Sequence, residues 1–562
     1  MNDVISLPHR LLIVSLSVLF VLACGDAGER SFSGDEGMNH DGPTENNPSN
    51  GAQGPGDPTN PFVPEEEEFL VREVASTDHH VFVPNSDPES HTVALIDGRD
   101  YSVLPVRVGR QPTQVVATQH PELGSVAYVL CEGSSVIAII RADMMSGLDR
   151  SHVNILPIPR ELNAITMAPD GESLIAYIDP SRPIDESASV ASLQTMALIR
   201  LGETPDKDRA FELSITRLIS TIAFTEDGRT AFIVGAEGVN RIALHAIDRD
   251  AFIAPIRLEL SDELFPPSDQ EVLVAKDGSF MVVRTSQFAG VATIELDEHG
   301  VILDRRLIEL DGIPTDINLV EKENERKIVA TVRDHDQVVI VDLDVLFASD
   351  EETDSADYLT TLVIEGAQAG LARQTPDDER LLLYTTQIKT PLLGIYRWSD
   401  QVIETFILRN QIRSLAISKD SRTAVIVHRK QPGNAGDPTD SLEQFQHSHG
   451  LTIVDLDTGY RRPIILQGEP TDILMTQSEG GQSVVYAMLN SPSPNDQGVA
   501  RIDMGSFRTD FIRLPRPPVQ LGIAAGKVFV NQEASTGRIT FFDIETQAQR
   551  TVSGYELNAG ID

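Results

Sequence analysis

Cysteine is nearly absent: only Cys24 and Cys131 occur in 562 residues. A chain of this size cannot then rest on a disulfide framework and must be held by its core. Aromatic residues are also scarce, at 5% with a single tryptophan, Trp398. That gives little support to a carbohydrate-stacking platform and suits Trp398 to packing within the fold. Basic residues are outnumbered, 45 Lys and Arg against 85 Asp and Glu, for a net charge of −40. Such a balance argues against nucleic acid as a partner and against a body lying flat on anionic lipid. The motifs of a P-loop, a Gly-x-Ser-x-Gly elbow, His-Glu-x-x-His and Cys-x-x-Cys are all missing. Sustained 3.6-residue periodicity with caps at both ends is missing too.

One long apolar run exists, Leu11 to Ala23 (LLIVSLSVLFVLA). At 1.5 Å per helical residue it spans roughly 20 Å, short of a hydrocarbon core of about 30 Å. Its length and position after Arg10 fit the apolar part of a signal peptide over residues 1–23. Val21-Leu22-Ala23-Cys24-Gly25 resembles the bacterial lipobox, in which a small residue precedes a cysteine that is lipidated after cleavage. The resemblance implies diacylglycerol and an acylated amino group on Cys24, hence a membrane anchor of two or more chains. Gly25 lacks the Asp at the following position that retains enterobacterial lipoproteins at the inner membrane, which points to the outer membrane. The stretch to Pro64 is rich in Gly, Pro, Asn and Asp, and with Glu65–Glu68 it reads as a disordered tether over residues 24–68. With Cys24 on lipid, Cys131 has no disulfide partner; its place in VAYVLCEGSS marks it as buried and inert.

From residue 69 to 562 one unit recurs: an apolar strand, a tight acidic or glycine turn, a second apolar strand, a loop, a third strand and a more polar fourth. ITMAPDGESLIAYID, IAFTEDGRTAFIVG and VLVAKDGSFMVVR show the first hairpin. SSVIAIIRAD, GVATIELD, DQVVIVDLD and GRITFFDIE show the third strand. The Asp-Gly pairs at 170–171, 227–228 and 277–278 suit two-residue hairpins with both central residues at positive φ. The spacing averages about fifty residues, the length of one four-stranded propeller blade with its loops.

Residues 124–140 (GSVAYVLCEGSSVIAII) resemble the YVTN-type β-propeller repeat, with Leu130 and Cys131 in place of its Thr-Asn pair. VFVPNSDPESHTVALID from Val81 is a second match. The pattern is similar to lactonase-like and surface-layer propellers and to TolB-type repeats; the resemblance implies the fold and leaves activity open. Nine hairpin units from about Pro112, with N-terminal strands before them, imply an all-β propeller of about ten units. Eight blades, or two smaller rings, remain alternatives. The C-terminal GYELNAGI echoes the start of a unit and suggests that the last strand completes the blade begun by the first.

Candidate sites are few. His447 and His449, in the long insertion from Arg429 to Gly450, would point the same way on an extended segment and could share a metal. A solvated loop with incidental histidines is the plainer reading. His79-His80 are adjacent, so their rings would point apart, and Asp334-His335-Asp336 reads as a turn. No catalytic residue and no cofactor is assigned. The reading is a membrane-tethered envelope lipoprotein whose propeller binds or scaffolds an envelope protein, polysaccharide or small ligand. A lactonase-like or quinoprotein-like enzyme is the alternative. The Cys24→Ser protein should lose fatty-acid labelling and leave the membrane fraction; a labelled, membrane-bound mutant would refute the anchor.

Overall fold

The Asp-Gly turns set the unit. In the computed structural model, which describes residues 75–556 except 86, 146–150, 183–193, 262, 267–268, 323–324, 349–354, 365, 367, 388–390, 438, 479–480, 482 and 494, these turns differ from the two-residue form. Gly171, Gly228 and Gly278 take φ near +70°, whereas the preceding aspartates do not. The Gly171 N–H instead reaches back to the Ala168 carbonyl at 3.0 Å, and the Asp170 carboxylate accepts the Glu172 N–H at 2.9 Å. The same pair of bonds recurs at Asp227 and Asp277. The aspartate thus works through its side chain as an Asx turn, and only the glycine supplies the left-handed residue. Cys24, the apolar run and the tether lie outside the described residues.

Ten sheets follow one another along the chain. Blade 1 comprises His80–Pro84, Thr92–Asp97 and Val103–Arg107; blades 2 to 10 begin at residues 112, 164, 221, 271, 316, 371, 412, 469 and 518. Seven sheets have four strands in sequential antiparallel order. The only α-helices among the described residues are the short Leu343–Ala348 and Ser441–Gln446.

Ten apolar clusters join the sheets, each drawing on two neighbouring blades. The period-two geometry of a strand explains how. In Gly124–Cys131 of blade 2, Val126, Tyr128 and Leu130 join the cluster with blade 3, while Ala127, Val129 and Cys131 join the cluster with blade 1. Second strands are buried on both faces and so read as unbroken apolar runs. Outer strands such as Ile302–Glu309 alternate between half-buried and exposed. The tenth cluster unites Val81, Val83 and Ile96 of blade 1 with Phe529, Ile539 and Phe541 of blade 10. The ring is therefore closed: a ten-bladed β-propeller, not eight blades and not two rings.

Among the described residues no strand is shared between the first and last blades; most of GYELNAGI, residues 557–561, lies outside them. The last strand, Gln549–Ser553, pairs with Arg538–Asp543 of its own sheet. The described N-terminal residues contribute only a bridge, Ser76 to Val81, at the inner edge of blade 1. The junction is made by packing, with Tyr555 inserted into the cluster, and by the Ala525 N–H donating to the Asp78 carbonyl at 2.6 Å.

Blade 4 breaks the pattern. After its third strand the chain departs, and Ala251–Phe252 pairs in parallel with Leu213 and Ser214 of blade 3. Among the described residues only Ile256 returns, bridging Val239. Gly238 permits that return, since a Cβ there would lie 2.4 Å from the Ile256 carbonyl oxygen. Blade 3 thereby gains a fifth strand and blade 4 keeps three.

Phe541 is fully buried at the closing junction, 5.4 Å from the Tyr101 ring between centroids. Phe541→Ala should cost about 3–5 kcal/mol, read as a lower urea midpoint; an unchanged midpoint would mean that closure does not stabilise the ring.

Candidate functional site

Antiparallel order sorts the connections onto two rims. Loops between second and third strands, and those between blades, share one rim. The Asp-Gly turns and the connections between third and fourth strands share the other. The first strands line the centre, since those of successive blades touch: blade 2 with blade 3, 4 with 5, 6 with 7 and 9 with 10.

Several polar groups on and beside the inner strands bond to neighbouring blades. The Gln114 amide accepts the Ile165 N–H at 3.0 Å and donates to the Ile165 carbonyl at 3.3 Å. Thr315 and Thr331 hydroxyls donate to the Gly370 carbonyl at 2.9 and 3.0 Å. Asp316 accepts from the Ala372 N–H at 2.9 Å and from Arg373 at 3.3 Å. Arg284 donates to Glu271 at 2.6 Å and to the Pro314 carbonyl at 2.9 Å. Burial pushes the Asp316 carboxyl up to about 6, with Glu271 adding to the push while Arg373 and Arg284 oppose it. Blades 5 to 7 thus share a carboxylate and arginine network centred on buried Asp316, with Glu271, Arg284 and Arg373 half-buried around it.

The loop rim carries the insertion at 429–448. Asp440 caps Ser441–Gln446 through its carboxylate, and His447 ends the helix with φ −94° and ψ 10°. His449 begins the third strand of blade 8. The two histidines therefore do not alternate along one extended segment, and neither belongs to a group of three metal-donor side chains among the described residues. Beneath the insertion, His428 is buried: Nδ1 lies 3.0 Å from the Asn410 carbonyl, Nε2 lies 2.7 Å from the Thr452 hydroxyl, and Phe445 meets the ring edge-on. Asp334-His335-Asp336 is a turn, as its sequence suggests, with Asp336 in the left-handed region and its carboxylate accepting the Gln368 N–H at 2.9 Å.

The turn rim gathers residues that sequence spacing does not connect. His80 is buried with Nδ1 3.0 Å from the Ser125 hydroxyl, and Asp97 stands 3.9 Å from Nε2. The order serine, histidine, aspartate invites comparison with a nucleophilic triad. However, Ser125 is wholly enclosed, takes the Thr77 hydroxyl at 2.8 Å, and the Asp97 contact exceeds hydrogen-bond length. It is a polar staple between blades 1 and 2. Farther along this rim, Asp170, Glu172 and His245 bring one donor atom each within 4.8 Å of one another. Asp170 and His245 lie 75 residues apart, and no local motif signals their meeting.

Cys131 is buried, and burial pushes its thiol up to about 12. Trp398 meets Tyr396 edge-on at 4.9 Å and packs against the core between blades 6 and 7.

The fold and rims define a ten-bladed propeller. No family model and no curated protein matches this chain. Among solved structures it is similar to a dihydro-heme d1 dehydrogenase, NirN, in complex with DHE, at 10% identity and TM-score 0.38, over 89% of this chain and 79% of that one. It is also similar to a eukaryotic initiation factor, at 10% identity and TM-score 0.44, over 77% and 96% of the two chains. A third is hydrazine synthase of Kuenenia stuttgartiensis, at 15% identity and TM-score 0.28, over 60% and 97%.

Burial pulls the His428 imidazole down to about 4, so it is neutral in the fold and binds a proton only on unfolding. Its contribution is full above the ordinary histidine range and is lost as pH falls towards 4. Between pH 7 and 5 the loss should be about 2 kcal/mol. Asp316, shifted upward, acts in the opposite sense. The comparison is therefore wild type against His428→Gln by urea unfolding at both pH values, and an identical pH dependence would contradict the assignment.

Proposed function

We propose that the ring is the exported body of an envelope lipoprotein, tethered through Cys24, and that it serves as a non-enzymatic binding scaffold for another envelope protein or polysaccharide. The observation that carries this reading is the division of labour in the ring. Inner-strand polar groups such as Gln114, Thr315 and Asp316 are engaged in blade-to-blade bonds. Chain length beyond the minimum blade is spent on rim loops, above all the capped helix of the 429–448 insertion. Loops on a rigid ring are free to vary without disturbing the core, and recognition tends to sit there. The anchor motif and the Gly/Pro-rich stretch at 25–64 support placement at a membrane with reach away from it. The acidic surface makes direct spreading on anionic lipid unfavourable, which suits a body held off the membrane.

Cross-linking in native envelopes followed by affinity capture tests the reading. The full chain should return a reproducible partner, and replacing residues 431–446 by a Gly-Ser linker of equal length should reduce its recovery severalfold. Repeated capture of no partner would overturn the scaffold role.

A further inference from the structure

We propose that Asp170, Glu172 and His245 form a binding site for a divalent transition-metal ion, bridging blades 3 and 4 on the turn rim. This site is independent of the tether and of the loop rim.

The three donors come from two elements that are fixed separately. Asp170 and Glu172 belong to the first turn of blade 3. Oδ1 of Asp170 is committed to the N–H groups of Glu172 and Ser173, at 2.9 and 3.2 Å. That leaves Oδ2 to face Nε2 of His245 at 2.9 Å. His245 rides on the 3₁₀ turn Leu244–Ala246 of blade 4. Arg200 of blade 3 donates to the carbonyls of Leu244 and Ile247, on either side of the histidine, and the Leu244 N–H bonds the Arg229 carbonyl at 2.8 Å. Gly228 lets the two turns approach, since a Cβ there would lie 2.5 Å from the Asp170 nitrogen. Placement therefore does not depend on the donors attracting one another.

A fourth residue stands beside the site. Nδ1 of His120, on blade 2, accepts the N–H groups of Glu122 and Leu123 at 3.2 and 3.1 Å. In the neutral ring the proton then resides on Nε2, which stands 3.8 Å from Oε1 of Glu172. At that distance the ring faces the carboxylate without a hydrogen bond, as a neighbour that leaves Glu172 free to turn toward an ion. Among the described residues, neither Asp170 nor Glu172 forms an ion pair with a lysine or arginine; both face imidazoles alone.

One imidazole and two carboxylates suit Zn²⁺ or a neighbouring first-row divalent ion better than a purely oxygen-seeking cation. The side chains of His245 and Glu172 are 39% and 48% exposed, which gives an ion access from solvent and leaves coordination positions for water. The link lies at the junction that the chain also crosses by pairing Ala251–Phe252 with Leu213 and Ser214 of blade 3, so the ion would add a second tie there, on the turn rim.

Full-length protein, stripped with EDTA and dialysed, is titrated with ZnCl₂ by calorimetry, with thermal unfolding measured in parallel. One saturable ion per chain and a raised Tm are expected. Asp170→Asn and His245→Ala should each weaken binding at least tenfold, whereas His447→Ala should leave it unchanged. Co²⁺ loading of the wild type should give a visible absorption band that the His245→Ala protein lacks. Should His245→Ala fail to fold, Glu172→Gln, at an exposed position, decides the point by the same tenfold criterion. Absence of saturable binding, or binding that none of these site variants alters, would overturn the site. So would a His245→Ala protein of lower Tm from a wild type indifferent to zinc, because that leaves only an imidazole–carboxylate ion pair.

Discussion

Everything in this molecule depends on aliphatic packing between adjacent sheets. A propeller blade buries little within itself; its two faces become interior only when a neighbour stands on each side. The ten clusters are built mainly of Val, Ile, Leu and Ala, with a few aromatics such as Tyr128 and Phe541. Small side chains suit two close sheets, and this explains how so large a ring manages with so few aromatic residues. The same requirement makes closure obligatory, because an open arc would leave the outer faces of blades 1 and 10 in water.

Polar groups inside the ring are tied to that packing. Arg141 and Asp208, both fully buried, pair through two bonds of 2.6 and 3.1 Å, and Asn154 and the Gly202 N–H saturate the carboxylate further. The pair joins blade 2 to the loop that precedes the fourth strand of blade 3. Such a pair contributes less net stability than its geometry suggests, but losing one partner leaves an uncompensated buried charge. It acts as a register mark: a neighbouring blade that slid along its partner would separate the two.

The fold was legible in the sequence to an unusual depth, and particular residues show why. The turns at Asp170, Asp227 and Asp277 and the doubly apolar second strands state the blade period directly, and counting them yields the ten units observed. What failed was local conformation. The Asp-Gly pairs look like two-residue hairpins, yet the aspartate side chain reorganises the turn; nothing in the dipeptide distinguishes the two forms. Tyr555 reaches the first blade by packing, as far as the described residues extend. His447 and His449 are two residues apart in sequence, whereas a helix end intervenes in space. Conversely, His245 meets Asp170 across a blade boundary, and a search for short motifs cannot see a pair separated by 75 positions.

Closure by packing has a consequence for how the chain could be rewired. Among the described residues blade 10 pairs only within itself and blade 1 takes no strand from the C-terminal side, so the gap between them resembles the link at any other junction. A circular permutant that joins the old ends and opens between two other blades would retain every sheet intact. Evolution or design can relocate the point of attachment around the circumference, and with it the rim that faces outward from whatever holds the protein.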